Sequence, residues 1–248
     1  MKNLFVFCLL TLVCMSKQSL SYSQGYLKYE FTSAAPSDES IQDRIEQIKA
    51  QIPDEALQEK VIQQLKEKMI QNYQIHLVFD GEVAVSHNEN TKNAPLKVGD
   101  EIIYRNTNEP VFTSQSYIFN KAFVVTDSIP TYEVIYTEET KQIGPFKAYK
   151  AILKQNEEEV AQVWYTKEIS YAHSPLKMYV EDGLVLEILK KDGAKVAFKE
   201  FSTVLPKEIP LEKPNKGKTL TQSEFDMLKD EKLKDMQTGG GSTIVIGK

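Results

Sequence analysis

Residues 143–188 read IGPFKAYKAILKQNEEEVAQVWYTKEISYAHSPLKMYVEDGLVLEI and hold the single tryptophan of the chain, Trp164. Three strands are written into this stretch. Ala148–Lys154 and Val160–Lys167 are apolar, aromatic and β-branched runs joined across Gln155-Asn156-Glu157, and Leu184–Leu189 follows a second connection ending in Asp182-Gly183. Val196–Val204 extends the pattern downstream as a hairpin across Lys191-Asp192-Gly193.

The same alternation continues upstream. Tyr26–Phe31 reads as a first strand, and Tyr73, Ile75, Leu77 and Phe79 share one face of a second that turns at Asp80-Gly81 into Val83–Val85. After a polar loop over Thr91–Gly99 come Glu101–Arg105, Phe112–Phe119, Phe123–Thr126 and Tyr132–Thr137. Strands at this spacing without intervening helices predict one antiparallel meander, and about ten strands in one sheet tend to curl or close. The fold class read from this is mainly β (α+β), a curved antiparallel sheet or partial barrel.

Two segments break the two-residue period. Ile41, Ile45, Ile48 and Ile52, then Leu57, Val61, Leu65 and Met69, lie at helical spacing on either side of Pro53. They predict an inserted helical hairpin over 38–72, which could pack on the sheet, act as a lid or receive a partner. Past Leu205, Pro206, Pro210 and Pro214 make an extended strap, and Thr221-Gln-Ser-Glu224 is a capping box opening a helix over 221–236. A glycine-rich tail follows, with an apolar end at Thr243–Ile246 that could add as an edge strand but is expected to hang free as a flexible tail. The domains are therefore a leader at 1–23, a β domain at 24–205, and the strap, helix and tail at 206–248.

Lys2, an apolar run of twelve residues from Leu4 to Met15, and small residues ending at Ser23 have the layout of a secretory signal peptide. The run is shorter than the roughly 20 residues that span a bilayer, so removal and a secreted, periplasmic or cell-envelope location are expected. Anchoring on Cys14 would want a small residue before it, where Val13 stands. Both cysteines, Cys8 and Cys14, lie in this leader, which excludes a disulfide scaffold or cysteine chemistry from the mature chain. Without Lys2 and Lys17 there remain 28 basic against 35 acidic residues, a formal charge of −7. No basic cluster predicts nucleic-acid binding, and no later segment is apolar enough to span a membrane.

Chemistry is weakly written. His76, His87 and His173 lack ligand-type spacing, so no metal or other cofactor is expected. There is no G-x-S-x-G nucleophile elbow and no phosphate-cradling glycine loop. Glu157-Glu158-Glu159 reads as a solvated turn, and 35 acidic residues make any carboxylate pair undiagnostic. Tyr132, Tyr136, Trp164, Tyr165 and Tyr179 suit strand packing unless they form an exposed cluster.

Gly144, Lys147, Ala151, Trp164-Tyr165-Thr166, Glu168, Pro175, Lys177 and Gly183-Leu184-Val185-Leu186-Glu187 together resemble the signature of the GLPGLI family, secreted or cell-envelope proteins of Bacteroidetes without an established activity. The name-giving Gly-Leu-Pro is replaced by Val180-Glu181-Asp182, and Leu176 stands where an aromatic is usual. A turn-and-strand motif survives such losses more readily than a catalytic one, so these residues are read as structural. The reading adopted is an exported, non-enzymatic binding or carrier module that holds an apolar ligand or lipidated partner on the concave face of the sheet. A curved sheet with a helical lid is similar in plan to periplasmic lipoprotein carriers. The alternatives are an interaction module pairing with another envelope protein, and a hydrolase.

Overall fold

The computed structural model describes residues 21–89 and 97–239. The leader falls outside this range except for its last three residues, as do much of the Thr91–Gly99 loop and the tail with Thr243–Ile246. Among the described residues one sheet of twelve strands forms the molecule: β1 (Gln24–Thr32), β2 (Asn72–Asp80), β3 (Val83–Asn88), β4 (Val98–Asn106), β5 (Val111–Ile118), β6 (Lys121–Ser128), β7 (Glu133–Ile143), β8 (Phe146–Gln155), β9 (Glu158–Thr166), β10 (Leu184–Lys190), β11 (Lys195–Ser202) and β12 (Lys218–Leu220). Helices α1 (Gln42–Gln51), α2 (Glu55–Met69) and α3 (Gln222–Gly239) complete it. The mainly β reading with a helical pair and a terminal helix is correct.

The expected single meander is in fact two. The spatial order is β12-β6-β5-β4-β3-β2-β1-β11-β10-β9-β8-β7, so the chain meanders outward from β1 to β6, crosses to the opposite edge at β7, and meanders back until β11 closes on β1. Local turns produce each meander. In the β8–β9 turn, Asn156 and Glu157 both take positive φ, the handedness that suits a two-residue hairpin. The strand that the sequence did not show is β12, which runs parallel to β6 through Lys218–Phe123, Thr219–Val124 and Leu220–Val125. Three residues carry no readable period.

Register gives the sheet a filled inner face. Leu27, Tyr29, Leu77 and Phe79 share it and are fully buried, together with Leu184 and Leu186 from the returning half. Burying each such side chain contributes about 1.5–3 kcal/mol before chain entropy is counted. The connection between β9 and β10 lies against this face. Ile169 and Val180 join the same core, and the Ser86 hydroxyl donates to the Pro175 carbonyl at 2.7 Å. At the β6 edge α3 takes over: Phe225 meets Phe123 edge-on, beside Phe112, Val125 and Leu220.

The helical pair stands apart from this core. α1 and α2 contact mainly each other, with Ile41 and Ile45 buried and no buried residue on α2. Asp54 caps α2 by accepting from the Leu57 amide at 2.8 Å, and Lys66 pairs with Asp38. Since Thr32 of β1 lies opposite Asn72 of β2, the pair is an arm inserted at the end of one hairpin.

Candidate functional site

Two places gather polar side chains, one on each face of the β3–β5 region. The inner cluster begins with an unusual strand. β5 carries Thr113-Ser114-Gln115-Ser116 consecutively, and all four are buried. Ser114 and Ser116 point inward, where Ser114 Oγ donates to Asp100 Oδ1 at 3.2 Å and Ser116 Oγ makes a second, shorter bond to the same oxygen. Lys177 Nζ stands 2.9 Å from Asp100 Oδ2, 3.0 Å from Gln222 Oε1 and 4.2 Å above the Phe112 ring. The cluster thus ties β4, β5, the β9–β10 connection and the start of α3 together.

Asp100 spends both oxygens on these partners, so its role is to hold the connection in place. Replacing it with leucine leaves an ammonium and two hydroxyls short of an acceptor, at an expected cost of about 2 kcal/mol, reduced from the fully buried case by the partial exposure of the pair. Lys177→Met keeps contact with Phe112 and leaves a carboxylate that two serines still serve, so a smaller loss is expected. Urea denaturation of the two variants checks this ranking; a reversed order would contradict it.

Deeper on the same face the polar groups are less satisfied. Arg105 donates to the carbonyl oxygens of Asn106 and Glu109, and its guanidinium lies 5.7 Å from the Tyr179 ring centre. Burial pulls the Arg105 pKa down and pushes that of Tyr179 well above the phenol range. His173 faces the Gly81 carbonyl through Nε2 at 2.9 Å, and burial lowers its pKa to about 4.

On the outer face a row of paired residues crosses the strands: Lys28, His76, His87, Ile102 and Gln115. His76 and His87, eleven residues apart on one hairpin, thereby become cross-strand neighbours. His76 Nδ1 lies 2.6 Å from the Tyr26 hydroxyl, and Glu89 Oε1 is 2.9 Å from Nε2. Among the described residues no group of three side chains is arranged to hold a metal.

Over the end of this row passes the strap. It is tied down where Gln115 Nε2 donates to the Lys216 carbonyl at 2.7 Å and where Gly217 runs beside Ala122 too closely for any side chain. Between its ties and the sheet lies an open groove of about 370 Å³. Val85, Ile102, Ile209, Pro210 and Pro214 supply its apolar wall; His87, Glu101, Gln115 and Tyr117 rise from the sheet, and Glu208, Glu212 and Lys216 belong to the strap. Burial and a hydrogen bond to Glu101 raise the Tyr117 pKa to about 12, so its hydroxyl is protonated.

The residues singled out from sequence lie elsewhere. Gly144 (φ +56) turns β7 into β8 under Phe198. Glu168 accepts from the Lys147 amide at 2.8 Å, and Thr166 Oγ1 accepts from the Glu168 amide at 3.2 Å. Ala151, Tyr165, Leu184 and Leu186 are core. Trp164 faces outward with Lys141 4.3 Å over its ring, and Lys141 also pairs with Glu187. Trp164, Tyr165 and the helical pair do not form a site together. The run Thr113-Ser114-Gln115-Ser116, polar on both phases of a strand, is the overlooked sequence signal that could have found the inner cluster. The groove has no such signal, because a proline-rich strap gives no hint of which face it crosses.

The apolar-ligand expectation fails on the inner face itself, which the chain's own β9–β10 connection fills. The family expectation fails on comparison. The chain matches the model for the N-glycanase peptide, N-terminal domain, over residues 59–229, from within α2 to within α3. No curated protein matches it in sequence. Two crystal forms of PNGF-II are similar in structure. The C2 form has a TM-score of 0.56 at 15% identity over 84% of this chain and 33% of that one, and the P21 form 0.55 at 16% over 83% and 33%. At this identity the likeness shows the fold, and the chain spans about a third of the length of PNGF-II. These findings replace the GLPGLI resemblance. The residues that suggested it are turn glycines, strand residues and three residues of the β9–β10 connection, Glu168, Pro175 and Lys177.

Proposed function

This chain belongs to the family of N-glycanase peptide N-terminal domains, and from that membership we propose that it serves the release of N-linked glycans as a domain of a glycan-releasing hydrolase. The reading replaces the non-enzymatic carrier and takes up the hydrolase that stood as an alternative. Its main support is the extent of the family match, which runs through β2–β12 and the capped start of α3 without leaving out a strand of either meander after β1. Export by the leader at 1–23 belongs to the same proposal, because it brings the chain to glycoproteins outside the cytoplasm.

A host-based assay tests it. Envelope and culture fractions of the source organism, with the chain intact or deleted, are incubated with an N-glycosylated protein, and free oligosaccharide is measured by mass spectrometry. Deletion is expected to remove most of the release, and adding back the purified chain to restore it. Equal release with and without the chain would overturn the proposal.

A further inference from the structure

We propose that the groove beneath the strap binds a neutral saccharide of about disaccharide size; the inference rests on the glycan-release reading and gives it a place on the molecule. A pyranose ring presents an apolar C–H face and an edge of hydroxyls, so a site for it needs an apolar wall bordered by fixed donors and acceptors. The groove has this composition. Ile102, Ile209 and Pro210 supply apolar surface, while Glu101, Tyr117 and Glu212 border it. Its volume of about 370 Å³ lies at the small end of ligand pockets, which suits a short saccharide.

Charge and bonding point the same way. Glu101 is paired with Lys97 and Lys213 with Glu109, which leaves Glu208 and Glu212 against Lys216, an excess of one carboxylate that disfavours an anionic ligand. The Tyr117 hydroxyl donates its hydrogen bond to Glu101 and leaves its oxygen as an acceptor. By contrast with Asp100 on the inner face, the Glu208 and Glu212 carboxylates and the Lys216 ammonium enter no hydrogen bond or ion pair among the described residues. Acceptors and a donor are therefore available at the wall, where vicinal hydroxyls can pair with a carboxylate's two oxygens. The strap's three prolines limit its conformations before binding, which lowers the ordering cost.

The test uses N,N′-diacetylchitobiose, the disaccharide that joins N-linked glycans to asparagine, with the full chain and ligand-observed NMR. Saturable binding is expected, weakened about tenfold, or about 1.4 kcal/mol, in Glu208→Gln/Glu212→Gln. These side chains are exposed, so an unchanged melting curve for the double variant will show that the fold is kept. No binding, or equal binding by the variant, overturns the groove assignment even if the host assay shows glycan release. Binding that the variant loses supports the groove even if that assay fails, in which case the glycan-release reading falls alone. Preference for an extended unglycosylated peptide over the disaccharide also overturns it.

Discussion

Gly183→Ala is expected to destabilise the protein by about 4 kcal/mol or more, enough to leave much of it unfolded or insoluble. Gly183 has φ +150, and a Cβ there would lie 2.0 Å from the Thr166 carbonyl oxygen and 3.0 Å from that of Ile169. Both obstacles are backbone, one of them at the end of β9, so neither can rotate aside. Relief would require moving the strand end or the turn that starts β10, where Leu184 and Leu186 are fully buried. Gly193 is the control. It also has positive φ (+93), but nothing lies within 4 Å of its Cβ position. Gly193→Ala should therefore show only the conformational cost, about 1 kcal/mol. Chemical denaturation of the two variants separates steric obstruction from backbone strain. A loss below about 1 kcal/mol at Gly183 would show that the turn yields more easily than its geometry implies.

Acidification should act through His173. The Gly81 carbonyl can only accept, so Nε2 carries the proton and Nδ1 is left as a bare acceptor, buried and without a partner among the described residues. Charging the ring would place a cation in the interior, with the Arg105 guanidinium near enough to oppose it and Glu82 only weakly favouring it. The folded pKa of about 4 lies below the ordinary 6.5, so the unfolded chain takes up this proton first as pH falls. The stability from keeping the ring neutral is complete above about pH 6.5 and is progressively lost between there and about pH 4, amounting to about 3 kcal/mol. Carboxylates titrate over part of the same range. Comparison with His173→Asn isolates the histidine: the wild-type curve of unfolding free energy against pH should be steeper by that amount between 6.5 and 4. Parallel curves would count against the assignment.

Much of this fold could be read locally. The Asp80-Gly81 turn, the isoleucine stripe of α1 and the Thr221–Glu224 capping box are short-range devices; in the last, each backbone amide bonds the other residue's side chain, at 2.8 and 3.2 Å. Strand order was not legible. Nothing in Tyr26–Phe31 indicates that it lies between β2 and β11, because that placement depends on pairing with residues near 200. The end of β7 was misplaced for a related reason. Its polar Glu138-Glu139-Thr140 reads as a loop, yet an edge strand exposed to solvent tolerates such residues and a bulge there keeps the pairing. The groove was hidden because its walls are about 100 residues apart in the chain, as Gln115 and Lys216 show.

The position of β1 has a consequence for how the molecule is made. The first strand is central in the sheet, and its second neighbour is among the last strands to be synthesised: Tyr26 lies opposite Ser202. Each meander can zip up from local turns, but the seam that joins them closes a loop of nearly the whole domain. Closure over such a distance puts the largest entropic cost at the end and makes assembly slow for a protein of this size. Until then one edge of β1 stays open. The nascent protein is a pair of half-sheets waiting for a common spine, and its exposure to misassembly is set by how long that wait lasts.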